Sequence, residues 1–256
     1  MTLRDRPGGY EILMLRRNLR SEFVAGAYVF PGGAVDEGDG SAAEVVVGLD
    51  DVTASERLSL PGGALAYYVA ALRELFEEAG LLLACRRDGT LAKGDDATAA
   101  ALAAHRRAVN AGDESFLAML RDAGLCLDLR DVYYVAHWTT PVGPPRRYDT
   151  RFFVARAPEG QEAAQDDDET VAARWVRPSV ALVEHDQGTL TMLYPTVRNL
   201  AAIARFELAD EVFAWARSLA EIPRIEPQIV DRAGQIHIVG PGDEGFVETP
   251  APGLGG

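Results

Sequence analysis

The stretch RELFEEAGL, residues 73–81, decides the fold, because it places three glutamates in five positions behind an arginine. Helix-forming residues with a regular apolar repeat surround it and predict a helix from about residue 64 to residue 79. Gly80 follows directly and is well suited to end that helix. We therefore begin from a single amphipathic helix that carries an unusual concentration of negative charge.

The three glutamates share one face of this helix. An α-helix turns about 100° per residue, which brings Glu74, Glu77 and Glu78 into one narrow sector. Like charges at these spacings cost about 0.2–0.5 kcal/mol per pair, so a solvated acidic face is one interpretation. Metal binding is the other, and the Pro-Gly-Gly turn at 31–33 together with Arg73 favours it. Carboxylates of this kind suit Mg²⁺ or Mn²⁺. The opposite face is apolar and comprises Leu65, Val69, Leu72, Phe76 and Ala79.

The composition is that of an ordinary globular protein, with 48% hydrophobic and 25% charged residues among 256. A formal net charge of −14 argues against non-specific binding to nucleic acid or to anionic membranes, which requires a basic surface. Cys85 and Cys126 lack the spacing of a metal or redox motif, so we expect a reducing cytoplasm. Apolar runs stay below the ~18 residues of a membrane span, so no membrane segment is expected.

Predicted strands and helices alternate along the chain. Strands are predicted at 11–17, 23–33, 81–85, 131–140, 148–157 and 171–178. Helices are predicted at 64–79, 97–112, 114–125, 194–206 and 210–222. The acidic segment 36–63 is predicted to be a connection bounded by glycines. This order predicts an α+β fold in which a mixed β-sheet lies between helices in α/β/α layers.

The same residues resemble the box of the Nudix hydrolases, G-x5-E-x7-R-E-U-x-E-E-x-G-U, where U is a bulky aliphatic residue. The second half of the box is complete at 73–81, and the first half begins at Gly33 in the FPGG turn. Asp39 stands where the pattern has its first glutamate, and 33 residues (40–72) stand where it has seven. The box is therefore interrupted rather than absent. Whether Asp39 is a metal ligand or a hydrogen-bond acceptor behind the ligands is left open.

An interrupted box with aspartate at this position resembles the Nudix branch that includes the animal peroxisomal coenzyme A diphosphatases. The segment HWTTPVGPPRRYDTRFFVA (137–155) is also similar to that branch. The resemblance implies a Nudix domain over residues 1–225, with a C-terminal extension over 226–256 whose last residues are expected to be mobile. It further implies two insertions, one within the box at about 40–62 and a helical one at about 96–123.

The resemblance also implies a role for each box residue. Glu77 and Glu78 are expected to ligate the divalent cations, Mg²⁺ or Mn²⁺, with Glu74 as a further ligand or as a base acting through water. The backbone carbonyl of Gly32 is implied as another metal ligand. Arg73 is expected to orient a box carboxylate through its guanidinium rather than to contact the substrate.

Many Nudix enzymes take a general base from a loop outside the box. The candidate here is the segment QDDDET (165–170), within which Glu169 is favoured over Asp168. A plain solvated acidic loop explains the same residues equally well.

Arginines are the candidates for binding substrate phosphates. Arg146 and Arg147 precede a predicted strand and could bind these phosphates, and the resemblance favours Arg147. Arg20, or one of its neighbours Arg16 and Arg17, is a candidate for the 3′-phosphate of coenzyme A. A surface salt bridge is at least as good an explanation for each of these arginines.

The activity implied is metal-dependent hydrolysis of a diphosphate linkage in a nucleoside diphosphate derivative. Coenzyme A or acyl-CoA is the expected substrate, with 3′,5′-ADP and (acyl-)4′-phosphopantetheine as products. ADP-ribose or NADH is the alternative, and a catalytically silent nucleotide-binding Nudix domain is a further one, against which the three intact glutamates weigh. The expected partner is this small molecule, not nucleic acid or a membrane. The helix pair at 96–123 could cover the site or form a homodimer surface.

Overall fold

The computed structural model describes residues 1–18, 25–91, 96–166 and 170–247, with the backbone alone for 96–98. Its helices are α1 (Asp51–Leu58), α2 (Leu65–Ala79), α3 (Asp96–Asn110), α4 (Phe116–Asp122), α5 (Pro178–Asp186), α6 (Tyr194–Ile203) and α7 (Ala209–Ser218). Its strands are β1 (Thr2–Arg6), β2 (Gly9–Arg17), β3 (Tyr28–Val29), β4 (Val46–Val47), β5 (Ala84–Arg86), β6 (Leu125–Asp128), β7 (Val132–Thr139), β8 (Asp149–Arg156), β9 (Thr170–Val176), β10 (Arg224–Ile225), β11 (Gln228–Arg232) and β12 (Gln235–Val239).

The main sheet is mixed and lies between two layers of helices. Its strand order is β10-β7-β8-β1-β2-β3, with β9 on the other side of β2. Four consecutive residues of β2, 12–15, are fully buried, as expected where both faces of a strand are covered. Leu13 and Leu15 belong to the core beneath α2, whereas Ile12 and Met14 belong to the core beneath α5, α6 and α7. The predicted α/β/α arrangement is therefore confirmed.

Helix α2 is fixed to the sheet by aromatic and aliphatic packing. Tyr68 is fully buried and its ring lies 4.6 Å, centroid to centroid, from that of Phe153 on β8. Phe76 is fully buried and packs against Phe116 of α4 at 5.7 Å. Each fully buried ring of this kind contributes about 1.5–3 kcal/mol through apolar burial. The apolar stripe of α2 thus faces the core, as its sequence predicts.

One edge of β8 is left open near the glycine turn. Strand β1 pairs with β8 only at Thr2 and Leu3, opposite the end of β8, and the later part of β2 pairs with β3 instead. Residues 149–152 of β8 therefore pair with β7 alone among the strands of the described chain. Phe30, at the start of the FPGG turn, reaches Phe152 across this opening, with ring centroids 6.3 Å apart. The turn and the open part of β8 are consequently neighbours at this edge of the sheet.

Two of the segments that differ from the predicted elements lie beside the box. In the segment predicted as a strand at 23–33, strand structure is limited to Tyr28–Val29 within the described residues; a turn with Gly26 at φ 74° precedes it and Pro31 follows. The predicted connection 36–63 contains the helix α1. The Asp50 side chain caps α1 by accepting a hydrogen bond from the Thr53 N–H at 2.8 Å.

The remaining elements surround this framework. Strands β4, β6 and β5 form a second, three-stranded sheet beside α4, and β11 pairs with β12 in a C-terminal hairpin. Helices α3 and α4 lie at the helical insertion that the sequence predicts at 96–123. Within the described ranges, no helix has the length and apolar character that crossing a bilayer requires.

Candidate active site

Arg73 is the centre of the acidic face of α2. Its side chain is buried, with the residue only 7% exposed. Its Nη1 donates to Glu74 Oε1 at 2.8 Å and to Glu77 Oε2 at 3.0 Å. One guanidinium nitrogen thus contacts two of the three box carboxylates.

The other edge of the Arg73 guanidinium binds Asp39. Nε donates to Oδ1 at 3.0 Å and Nη2 to Oδ2 at 3.1 Å, in a bidentate pair between residues 34 positions apart. Asp39 is 2% exposed and lies in a 3₁₀ turn, Glu37–Ser41, whose Asp36 N–H also donates to Oδ2 at 2.8 Å. Nη2 donates further to the Ala34 carbonyl at 2.8 Å. In this structure Asp39 acts as the hydrogen-bond acceptor that joins the two halves of the box.

The glycine turn lies directly against the glutamates. A Cβ atom at Gly33 would fall 2.5 Å from Glu74 Oε1, a separation that no side chain tolerates unless Glu74 moves. The Gly32 N–H donates to Glu78 Oε2 at 2.9 Å, and Glu78 is 7% exposed. Whereas the sequence suggests a role for the Gly32 carbonyl, the contact in the structure is made by its N–H group. A glycine is needed at position 33 because the turn approaches the Glu74 carboxylate so closely, whereas a Cβ at Gly32 would meet no atom within 4 Å.

The electrostatics of the site are dominated by burial and by Arg73. Burial alone would lower the pKa of Arg73, but the hydrogen bond with Asp39 and the charges of Glu74 and Glu77 hold that pKa above its ordinary value. Burial raises the pKa of Glu77 above its ordinary value, although Arg73 opposes this rise. Negative charge is therefore held here at a cost, and an added cation would be favoured.

The carboxylates have the chemistry of a divalent-cation site without being gathered into one. No group of three His, Cys, Asp or Glu side chains within the described chain is placed to hold a metal ion. Glu74 and Glu77 turn toward Arg73, whereas Glu78 turns toward Gly32. The donors are nevertheless hard oxygens on one helix face beside a cradle that a Cβ would fill, and these fit Mg²⁺ or Mn²⁺.

Helix α3 of the insertion binds the C-terminal end of α2. The Arg106 Nε donates to the Glu77 carbonyl at 2.8 Å, and the Asn110 Nδ2 donates to the same oxygen at 3.1 Å. Arg106 Nη1 also lies 3.4 Å from the Gln165 carbonyl. A cation at a helix C-terminus is favoured by the helix dipole. Sequence reasoning missed this contact, because it shows only once α3 is docked.

The predicted phosphate-binding and base residues lie apart from this cluster or outside the described ranges. Arg147 is half exposed; its Nε donates to the Thr140 carbonyl at 2.9 Å and its Nη2 pairs with Glu226 at 2.9 Å. Arg20, Glu169 and Asp168 lie outside the described residues.

A second polar cluster, which the sequence did not single out, lies on the α2-facing side of β7 and β8. The Arg151 guanidinium stacks on the ring of Tyr67 from α2, with its carbon 4.5 Å from the ring centroid. Arg151 Nη1 lies 3.3 Å from Asp149 Oδ1, and the same oxygen hydrogen-bonds to His137 Nε2. This cluster lies at the open edge of β8 described above.

A mixed sheet between helices, with a carboxylate-bearing helix that lies against a Gly-Gly turn, is the arrangement of the Nudix hydrolases. The family model described as the NUDT19 Nudix domain matches residues 48–203. The chain belongs to this family, which confirms the resemblance drawn from the box.

Named relatives extend the similarity to most of the chain. The acyl-coenzyme A diphosphatase NUDT19 of Gallus gallus is 30% identical over 285 residues, covering 95% of this chain and 75% of its own length. Its counterpart in Homo sapiens is 28% identical, covering 94% of this chain and 73% of its own. The crystal structure of a Nudix hydrolase from Alicyclobacillus acidocaldarius superposes with a TM-score of 0.64 at 28% identity, covering 84% of this chain and 93% of that one.

Proposed function

We propose that this Nudix hydrolase cleaves the diphosphate linkage of coenzyme A or an acyl-CoA, giving 3′,5′-ADP and (acyl-)4′-phosphopantetheine. The observation that carries the proposal is the closure of the interrupted box. Arg73 joins Asp39 to Glu74 and Glu77, and Gly32 holds Glu78. The names of the NUDT19 relatives, which align over nearly the whole chain, support the choice of substrate.

Glu74, Glu77 and Glu78 would hold the divalent cation, with the Gly32 carbonyl as an additional oxygen. A bound Mg²⁺ or Mn²⁺ would neutralise the charge of the diphosphate and lower the pKa of an attacking water. The raised pKa of Glu77 supports this assignment, because a cation relieves the cost of a buried carboxylate. Arg73 would keep Glu74 and Glu77 on the side of the helix that faces the glycine turn.

The general base is proposed to be Glu169, with Asp168 as the neighbouring alternative. The described part of that loop lies close to the box, since the Ala164 N–H donates to the Ala79 carbonyl at 3.0 Å. We expect E169Q to lower kcat more than D168N does, with little change in KM, because a base acts in the chemical step. An equal loss of kcat in E169Q and D168N would contradict the assignment of Glu169 as the general base.

The deciding experiment is turnover of a substrate panel by the purified chain. Coenzyme A, an acyl-CoA, ADP-ribose and NADH are incubated with Mg²⁺ and, separately, with Mn²⁺, and the products are resolved by chromatography. We expect the highest kcat/KM for coenzyme A or the acyl-CoA. A higher value for ADP-ribose or NADH would overturn the substrate. Tight binding of one of these compounds without turnover of any of them would instead indicate a catalytically silent, nucleotide-binding domain.

The box is tested with a matched pair of glutamates. E78Q is expected to lower kcat at least about a hundredfold while the protein keeps its melting temperature. E56Q, at an exposed glutamate of the neighbouring helix α1, is the control and is expected to retain full activity. Full activity of E78Q would contradict the ligand assignment.

Four further predictions are kept as proposals. The Nudix domain is taken to span 1–225, with the remainder as an extension. Arg147 and Arg20 are retained as candidate substrate-phosphate ligands. A homodimer through the helical insertion is to be tested by light scattering. A reducing cytoplasm is supported by Cys85 and Cys126, which are unbonded although β5 and β6 place them opposite each other.

A further inference from the structure

The guanidinium of Arg151 is a buried cation with an unused hydrogen-bond donor. The Arg151 side chain is 8% exposed, and its charge is met by Asp149, whose own side chain is 52% exposed and also bonds to His137. Its Nε atom is buried and has no hydrogen-bond partner within the described residues. Leaving such a donor unsatisfied is costly, and an anionic ligand would remove the cost.

Arg151 lies on the same side of α2 as the box glutamates. Tyr67, on which Arg151 stacks, precedes Glu74 by seven residues, which places the two on one helix face about 10 Å apart along the axis. The residue next to Arg151, Phe152, contacts Phe30 of the FPGG turn on the opposite face of β8. That turn reaches Glu74 through Gly33. Arg151 therefore lies along the same face of α2 as the glutamates, roughly two helical turns from Glu74.

Two other arginines on or near this strand are more exposed than Arg151 and make ion pairs within the chain. Arg156, also on β8, pairs with Asp5 and Asp210 and stacks on Phe213 of α7. Arg147 is held by Glu226 and the Thr140 carbonyl. Arg151 differs from both in its burial and in its unsatisfied donor.

We propose that Arg151 binds a phosphate of the substrate that lies outside the scissile diphosphate. In coenzyme A this is the 3′-phosphate of the ribose, so the inference rests on the proposed function and specifies its substrate contact. An arginine presents Nε and one Nη as a fork that matches two phosphate oxygens. The stack on Tyr67 holds this fork in place. The distance of about two helical turns between Tyr67 and Glu74 separates the fork from the diphosphate that is hydrolysed.

The test compares two nucleotides that differ by this phosphate alone. Binding of 3′,5′-ADP and of AMP is measured by calorimetry for the wild-type chain, R151M, R151K and R156M. The wild type is expected to prefer 3′,5′-ADP. R151M should weaken 3′,5′-ADP binding at least about tenfold and leave AMP binding unchanged. R151K should fall between them, and R156M, on the same strand, should match the wild type.

Turnover supplies the second arm. For R151M, kcat/KM is expected to fall for coenzyme A and to stay unchanged for dephospho-coenzyme A, which lacks the 3′-phosphate. Equal losses for the two nucleotides or the two substrates, no loss for either, or a wild type that binds both nucleotides equally would each overturn the proposal. Should R151M fail to fold, R151K and Y67L, which removes the stacking surface, decide by the same criteria.

The two proposals fail separately. A wild-type chain that does not hydrolyse coenzyme A would contradict the proposed function. Binding of 3′,5′-ADP against AMP needs no turnover and still decides the role of Arg151.

Discussion

Asp39 and Arg73 form a bidentate ion pair between the two halves of the interrupted box, with both residues buried. The pair lets 33 residues intervene at 40–72 while the glycine turn and the glutamate helix remain together. Because the 3₁₀ turn Glu37–Ser41 carries Asp39 to the guanidinium, the shorter side chain of aspartate suffices where the usual pattern has glutamate.

Removing the Asp39 carboxylate should both destabilise the protein and disorganise its site. We expect D39A to lower the free energy of unfolding by about 3 kcal/mol, because the buried guanidinium of Arg73 loses the carboxylate that pairs with its charge. The control is D36A on the same turn; its carboxylate is 66% exposed and 3.6 Å from Arg73, so it should change stability by less than about 1 kcal/mol. Urea unfolding measures both. Equal effects of the two substitutions would show that the buried pair does not hold the box together.

Gly33 is predicted to be required for activity rather than for folding. A Cβ at this position would meet the carboxylate of Glu74 at 2.5 Å, and the side chain can move aside only by leaving its place beside the turn. We expect G33A to lower kcat at least about tenfold and to change the melting temperature little, because the atom displaced is the end of a flexible side chain.

The matched control for this substitution is G38A. A Cβ at Gly38 would have no atom within 4 Å, and the residue lies in the neighbouring 3₁₀ turn. G38A should therefore retain wild-type kcat. Steady-state kinetics on the preferred substrate compare the two, and an active G33A would mean that Glu74 works equally well when displaced.

Local patterns predicted some parts of this fold and not others. Helix α2 lies at Leu65–Ala79, within one residue of its predicted start, because its apolar repeat and Gly80 are both local signals. Helix α1 was missed because it is eight residues long and relies on Asp50 at its N-cap and on burial of Ala54 and Leu58.

The parts of the candidate site that the sequence missed depend on long-range contacts. Spacing alone places the three glutamates on one helix face, and the resemblance to the Nudix box links them to the glycine turn. Arg106 and Arg151 resemble ordinary arginines in sequence, and only the docking of α3 on α2, and of β8 over Tyr67, distinguishes them. Strand β1 was missed for the same reason, since its charged alternation, TLRDR, gains meaning only by pairing with β2 and β8.

The contact between Arg106 and the Glu77 carbonyl predicts that the helical insertion stabilises the box helix. R106A should lower the free energy of unfolding by about 1.5–3 kcal/mol, the range for a hydrogen bond from a charged donor. R107A is the control, because Arg107 is the exposed neighbour on the same helix. Chemical denaturation compares the two, and hydrogen exchange at residues 76–80 is expected to quicken in R106A alone. Unchanged exchange there would show that α3 merely lies beside α2.

The last prediction concerns the C-terminal hairpin, which Asp243 anchors to α6. Its carboxylate accepts hydrogen bonds from the Tyr194 hydroxyl, from Arg198 Nη1 at 3.0 Å and from the Gly240 N–H at 3.0 Å. The Tyr194 hydroxyl first of all, with help from Gly240 and Arg198, holds the pKa of Asp243 below its ordinary 3.8, although burial opposes this. A carboxyl whose pKa is lowered on folding stabilises the folded state above its unfolded pKa, and this contribution is lost as the pH falls through the folded value.

We therefore expect D243N to loosen β11 and β12 by about 1.5 kcal/mol at neutral pH, the lower end for hydrogen bonds to a charged group that is partly exposed. Hydrogen exchange of the amides at 228–239, corrected for intrinsic rates, measures this. The difference from the wild type should be constant above about pH 5 and shrink as the pH falls through 3.8 toward the lowered pKa of the folded state, because the Asp243 carboxyl is protonated first in the opened hairpin. E244Q, at the 93% exposed neighbour, should behave as the wild type throughout. A difference between D243N and the wild type that does not depend on pH would show that the shape of the side chain, and not its charge, holds the hairpin on α6.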